Sequence, residues 1–163
     1  MSDLTIRPAR AEELSAVGAL TVLAYQVDGE IKGGYERMLA DAPGRHRDAE
    51  LLVAVDASDR VLGTVTIARG GQKWADIAQP GELEFRMLAV DPAARRRGVG
   101  EALVRAVLER AKELGAFRVM LSSQRSMVVA HRMYERLGFR RAPDRDWVVL
   151  PGLSLIAYGV EVR

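Results

Sequence analysis

The stretch over residues 88–104, LAVDPAARRRGVGEALV, constrains this chain more than any other. It joins an apolar strand to an amphipathic helix through a turn holding three arginines and two glycines. Asp91-Pro92 stops the strand, because proline has no N–H to give a ladder. Val99, Leu103, Ala106, Val107 and Leu114 then recur at helical spacing, which predicts a helix over about 98–114, with Gly115 as its C-terminal cap. A mid-chain strand followed by such a helix belongs in a mixed α/β fold with a crossover.

The turn itself reads as an anion cradle. The first N–H groups of a helix lack internal partners and point outward at its positive dipole end. Gly98 and Gly100 carry no side chain, so a phosphate can approach that backbone closely, and Arg95, Arg96 and Arg97 add positive charge at the same place. Two phosphates, as in a pyrophosphate, suit such a rim. No glycine is followed by Lys-Ser or Lys-Thr, so the common nucleotide-binding loop is absent. The three-glycine dinucleotide fingerprint is absent too, and the strand lies mid-chain rather than opening a βαβ unit.

The remaining elements follow from period and punctuation. A strand over 5–7 ends at Pro8, a helix follows over about 11–25, and a short one over 35–41. Residues 42–48, APGRHRD, read as loop. Strands over 51–55 and 61–68 are joined by the hairpin signal Asp56-Ala57-Ser58-Asp59. A polar connection over 70–81 carries Trp74 and leads to a strand over 82–90. Strict alternation there places Leu83, Phe85 and Met87 on one face and Glu84, Arg86 and Leu88 on the other. A strand over 117–121, a helix over 127–137 ended by Gly138, and strands over 147–150 and 153–160 close the chain. The expected architecture is a mixed, mostly antiparallel sheet of about seven strands with about four helices.

With 163 residues, the chain fits one domain, 1–163, able to bury roughly two-thirds of its unfolded surface. Apolar residues are 48% and charged residues 28%, which argues against disorder. No apolar run approaches the ~18 residues of a membrane span, and the opening MSDLTIRP has no apolar signal core, so the expectation is a cytoplasmic protein with no membrane partner. Arginine and lysine number 24 against 22 acids, too even a balance for a nucleic-acid binder. There is no cysteine, hence no disulfide, no thiolate metal site and no cysteine nucleophile. The two histidines, His46 and His131, are too few for a three-histidine zinc site, and no metal is expected.

Two motifs together resemble the GNAT superfamily of N-acetyltransferases, across nearly the whole chain. Arg95-Arg96-Arg97-Gly98-Val99-Gly100 is similar to that family's Q/R-x-x-G-x-G/A acetyl-coenzyme A signature, preceded by the strand end LAVDP. About thirty residues on, AHRMYERLGF (Ala130, Tyr134, Gly138 and Phe139 within it) resembles the second signature, AxxxYExxGF. TIRPA resembles the usual first strand.

The resemblance implies an acetyl-coenzyme A-dependent N-acetyltransferase acting on the primary amine of a small molecule or protein, by direct attack in a ternary complex. It implies that the backbone of Leu88, Ala89 and Val90 pairs with the pantetheine arm. The pyrophosphate would sit on the N–H groups of Arg95, Arg96, Arg97, Gly98, Val99, Gly100 and Glu101, with Arg96 and Arg97 either on the phosphates or a solvated rim. Ala130 would let the thiol end pass. Tyr134 is the expected catalytic acid, hydrogen-bonding the departing sulfur. Glu84 is the expected general base, with Glu82 or water as alternatives and a structural pair with Arg86 as the competing role. The family often has Asn where this chain has Met127, with Ser126 or Arg125 as possible substitutes. His131 falls off the Ala130–Tyr134 face by helical geometry and reads as rim or surface, and His46 as solvated. Glu101 and Arg105 read as an i,i+4 surface pair.

The acceptor end is expected from the first two helices, the 70–81 connection and the Trp147 loop, with Tyr25, Tyr35, Trp74 and Trp147 as its aromatics. These residues do not choose among an amino acid, a polyamine, an aminoglycoside-like compound and a protein amine. The competing class is a non-catalytic acyl-coenzyme A-binding module, for which the Tyr134 phenol would have no use. The closing strands could also pair across a two-fold axis, as in homodimeric relatives.

Overall fold

The computed structural model describes residues 3–29, 31 and 33–162; Met1 and Ser2 of the opening stretch lie outside the described residues. Its elements are β1 (Thr5–Pro8), α1 (Leu14–Val27, entered through a 3₁₀ turn), α2 (Tyr35–Ala40), α3 (Ala42–Asp48), β2 (Glu50–Val55), β3 (Val61–Arg69), β4 (Glu82–Val90), α4 (Val99–Leu114), β5 (Arg118–Gln124), α5 (Val128–Arg136), β6 (Arg140–Arg141), β7 (Trp147–Leu150) and β8 (Leu153–Glu161). One sheet runs β1-β2-β3-β4-β5-β8-β6, with β7 also on β8. The β4–β5 pair is parallel and α4 makes its crossover, while the other pairs are antiparallel.

This is the expected mixed sheet with two additions. β6 is only two residues long. The segment expected as loop over 42–48 is instead α3: the Asp41 carboxylate accepts the Gly44 N–H at 2.9 Å and Pro43 sits in the first turn. Asp-x-Pro is a start signal that the Pro-Gly pair masks.

Apolar residues of α4 and α5 pack on one face of the sheet around Phe85, Leu103, Val107 and Tyr134. On the other face α2 and α1 cover Ala68, Trp74 and Met87. A side-chain carbon at Gly63 would lie 2.8 Å from Val99 Cγ1 and 3.0 Å from the Ala89 carbonyl, so glycine lets the start of α4 lie directly on β3.

β4 does not alternate as expected. Thr66 pairs with Arg86 but Thr64 pairs with Ala89, so β4 carries one extra residue, and Met87 takes φ 54°. Past this bulge the faces exchange. Leu88 and Val90 join Leu83 and Phe85 on the α4 side, while Met87 packs with Trp74 and Tyr35. Glu84 and Leu88 therefore do not share a face. The bulge also marks where β4 leaves β5: their pairing runs from Glu82↔Arg118 to Phe85↔Leu121 and stops. Residues 86–90 and 122–124 keep only their outer partners, β3 and β8.

Candidate active site

Where β4 and β5 part, a cleft of about 710 Å³ opens, walled by β4 from Phe85 to Val90, the start of α4, Ser122, Ser123 and Gln124 of β5, one side of α5, and Tyr25 and Tyr35. Of the residues expected at the site, Leu88, Ala89, Val90, Arg95, Arg96, Gly98, Val99, Gly100, Glu101, Ala130 and Tyr134 all line it.

At one end stands the arginine–glycine turn. Asp91 accepts the Ala93 N–H at 2.9 Å and sets a short 3₁₀ turn after β4. Arg96 (φ 67°) and Gly98 (φ 76°) then turn the backbone left-handed, at the positive end of the 16-residue α4. A side-chain carbon at Gly98 would meet nothing within 4 Å, so conformation and open approach, not packing, account for glycine there. Arg95 is held by Asp28 at 3.1 Å. Arg97 is exposed and is not part of the wall. Glu101 pairs with Arg105 at 3.1 Å and also with Arg136 of α5 at 3.0 Å; Arg136 and Arg105 hold its carboxyl below the usual range.

On α5, Ala130, Met133 and Tyr134 face the cleft. Tyr134 is 5% exposed, its ring packed at 5.9 Å from both Phe85 and Phe139 and 6.1 Å from Tyr158. Burial raises the phenol well above its ordinary pKa, so it remains a donor through the physiological range. Met127 and Ser126 line the cleft and Arg125 does not.

His131 is neither rim nor surface. It is buried, with Nε2 3.1 Å from Ser123 Oγ and its ring 5.4 Å from that of Tyr158. Burial lowers its pKa below the usual 6.5 and keeps it neutral at pH 7. A single helical wheel misses this because α5 is covered on two sides, by the cleft and by β8. His46 is exposed, as expected.

Glu84 and Glu82 are both absent from the cleft wall. Glu84 is fully buried, and its Oε1 accepts the N–H groups of Asp76, Ile77 and Ala78 at 2.9, 2.8 and 2.9 Å. Its Oε2 is buried without a partner, and burial pushes the carboxyl up despite those three donors. The Glu84–Arg86 pair, the competing role for Glu84, does not form; Arg86 pairs with Asp76. Glu82 is fastened to Arg145 at 2.8 and 3.1 Å. Burial works to raise it, but Arg145 and the Gln79 N–H hold it low.

Toward the acceptor side, Tyr25, Tyr35 and Arg86 line the cleft. Trp74 is buried behind Arg86 and donates to the Gly44 carbonyl at 3.3 Å, and Trp147 donates to Ser122 Oγ at 3.1 Å from outside the wall. Among the described residues no cluster of three His, Asp or Glu could hold a metal ion, and no helix is long and apolar enough to cross a membrane.

The model of the acetyltransferase (GNAT) family matches residues 17–139, from α1 through β4, the arginine–glycine turn and α5. The chain belongs to this family. Among curated relatives, N-acetylaspartate synthetase of Rattus norvegicus is 40% identical over 73 residues, 45% of this chain and 24% of that protein. Mycothiol acetyltransferase of Pseudarthrobacter chlorophenolicus is 36% identical over 96 residues, 57% of this chain and 28% of that protein. The chain thus spans about a quarter of the length of the curated relatives it matches. Among solved structures, a GNAT-family protein of Desulfovibrio desulfuricans shares the fold over 98% of this chain and 99% of its own, with a TM-score of 0.75 at 18% identity. An acetyltransferase of Salmonella typhimurium, solved with its cofactor acetyl-CoA, does so over 99% and 95%, with a TM-score of 0.68 at 17% identity.

Proposed function

We propose that the protein transfers an acetyl group from acetyl-coenzyme A to the primary amine of an acceptor, by direct attack within a ternary complex. The observation that carries this reading is the continuous cleft running from the arginine–glycine turn, along the opened β4–β5 seam, to Tyr134. GNAT membership and relatives named for acetyl transfer support it. The reading takes 1–163 as one acetyltransferase domain, with the cytoplasm as its location.

The residues present fit acetyl-coenzyme A. The β5-facing backbone groups of β4 past Phe85 have no strand partner, and the amides of a pantetheine arm can replace one at Leu88, Ala89 and Val90. The N–H groups of residues 95–101 would hold the pyrophosphate, with Arg95 and Arg96 at the rim. Arg97, exposed and outside the cleft wall, contributes only to the field. Small Ala130 leaves room at the thiol end. The bound co-substrate supplies an activated thioester.

The chain's own part is positioning and proton handling. Tyr134, kept protonated by burial, donates a hydrogen bond to the sulfur as negative charge develops there. An acceptor amine reaches the cleft as an ammonium and must lose a proton before attack. Ser123, in the cleft wall, can pass that proton to neutral His131 behind it. We assign the base role to this pair in place of Glu84, whose engaged oxygen holds the 76–78 turn and so acts as a positioning residue.

The first test is a calorimetric titration of the full chain with acetyl-coenzyme A, with ATP and NAD as controls, followed by a free-thiol assay across amine acceptors. Saturable one-site binding with amine-dependent thiol release is expected. No binding of acetyl-coenzyme A overturns the reading, and binding without turnover across all acceptor classes favours a non-catalytic module.

A further inference from the structure

The cleft contains a cation that acetyl transfer does not by itself require. Arg86 forms part of the wall yet is only 6% exposed. Its Nη1 pairs with Asp76 and donates to the Trp74 carbonyl at 3.3 Å. Its Nη2 is buried with no hydrogen-bond partner among the described residues, while the Tyr35 hydroxyl lies within interaction reach of the same guanidinium. A guanidinium offers five N–H donors in a fixed plane, and leaving the outer two unmet in a buried site is costly. Tyr25 and Tyr35, edge to face at 6.3 Å, share that part of the wall.

A second guanidinium stands behind the first. Arg45 is fully buried on α3, donates to the Met38 carbonyl at 2.7 Å, and leaves Nε and Nη2 unpartnered. Arg45 and Arg86 lie against the same indole, 5.9 and 5.7 Å from the Trp74 ring centre. Asp41 acts on Arg45, and no neighbouring carboxylate reaches Nη2 of Arg86. Asp76 meets Nη1, and the Glu84 carboxylate turns one oxygen to three backbone donors. A cationic group arriving here would face a guanidinium edge, whereas a carboxylate would find an N–H donor that lacks an acceptor.

We propose that the acceptor carries a carboxylate beside its amine, bound by Arg86 through Nη2 next to the Tyr25–Tyr35 pair, so that the substrate class is a free amino acid. This rests on the acetyltransferase reading above. The amine end then points toward Ser123 and Tyr134 in the same cleft, while Arg45 sets the field that disfavours polyamines and aminoglycoside-like compounds.

The test uses the full chain and needs no variant for its first arm. Free amino acids are each paired with their own carboxamide, a diamine is added to the panel, and kcat/KM is read from thiol release. Binding is read separately by calorimetry with the chain saturated in desulfo-coenzyme A, which cannot react. The expected result is that an amino acid is preferred over its amide by about ten- to a hundredfold in both readouts. In the second arm Arg86→Lys, which keeps the charge and most of the packing but not the fork, narrows that preference to roughly threefold or less with acetyl-coenzyme A affinity unchanged. Preference for amides or the diamine, absence of any amino-acid binding, or a preference undiminished in a folded Arg86→Lys protein overturns the proposal and leaves acetyl transfer standing. Failure of acetyl-coenzyme A itself to bind overturns both.

Discussion

The two ends of the cleft are made of different material. At the proposed cofactor end, recognition would rest on main chain, with two left-handed residues at Arg96 and Gly98, beside exposed arginines. At the proposed acceptor end it would rest on side chains brought by separate elements: Tyr25 of α1, Tyr35 of α2, Arg86 of β4, and, behind it, Arg45 of α3. A main-chain site tolerates many side chains but few conformations. A side-chain site tolerates small backbone shifts but depends on each residue's identity. Substitutions at the two ends should therefore fail in different ways.

The sharpest contrast comes from Gly98→Glu. A left-handed residue gains a side chain and a negative charge in the space meant for phosphate. Acetyl-coenzyme A affinity is expected to fall by about a hundredfold or more in calorimetry while the melting temperature changes little. Retained affinity would mean that the turn is only a turn. Next in size is Tyr134→Phe, which removes the hydroxyl and keeps the packing with Phe85 and Tyr158. A kcat loss of about a hundredfold with unaltered cofactor Kd is expected; unchanged turnover would remove Tyr134 from the chemistry.

A smaller effect separates the two candidate bases. His131 is depressed by burial, so its base form is full at neutral pH and is lost as the pH falls through a value below 6.5. The pH profile of kcat/KM should carry an acid limb there. His131→Gln should lower the rate by roughly ten- to a hundredfold and erase that limb, whereas Glu84→Gln, which keeps an acceptor for the 76–78 N–H groups, should leave it in place. A limb that vanishes with Glu84→Gln instead would return the base to Glu84. Smallest of all, Arg97→Ala should alter acetyl-coenzyme A affinity by no more than about twofold at physiological salt, measured by the same titration.

The same division explains what could be read from the sequence. The turn and the Ala130–Tyr134 spacing are local, so their residues announced themselves in order, and the ends of β4 and α4 fell close to the expected positions. The chemistry of the acceptor end is non-local. Arg45 and Arg86 are 41 positions apart, and nothing short of α3 docking beside Trp74 brings both to one indole. Asp41 and Pro43 could have signalled α3, but Pro-Gly beside charged residues reads as loop. His131 had no signal, because its burial comes from β8, which is contributed more than twenty residues later. Glu84 was misplaced for a different reason: strict alternation along β4 is the ordinary rule, and the departure from it is one extra residue with no marker in its side chains.

That extra residue in β4 also has a genetic consequence. On the proposed function, Arg86 before it lies toward the acceptor side and 88–90 after it toward the cofactor arm. On that reading, substitution at Arg86 would retune the acceptor without disturbing how the acetyl donor is held. Loss of one codon at Met87 is another matter: the strand would regain its regular pleat and could close back onto β5, sealing the seam. A protein so shortened would be expected to keep its fold and lose its purpose.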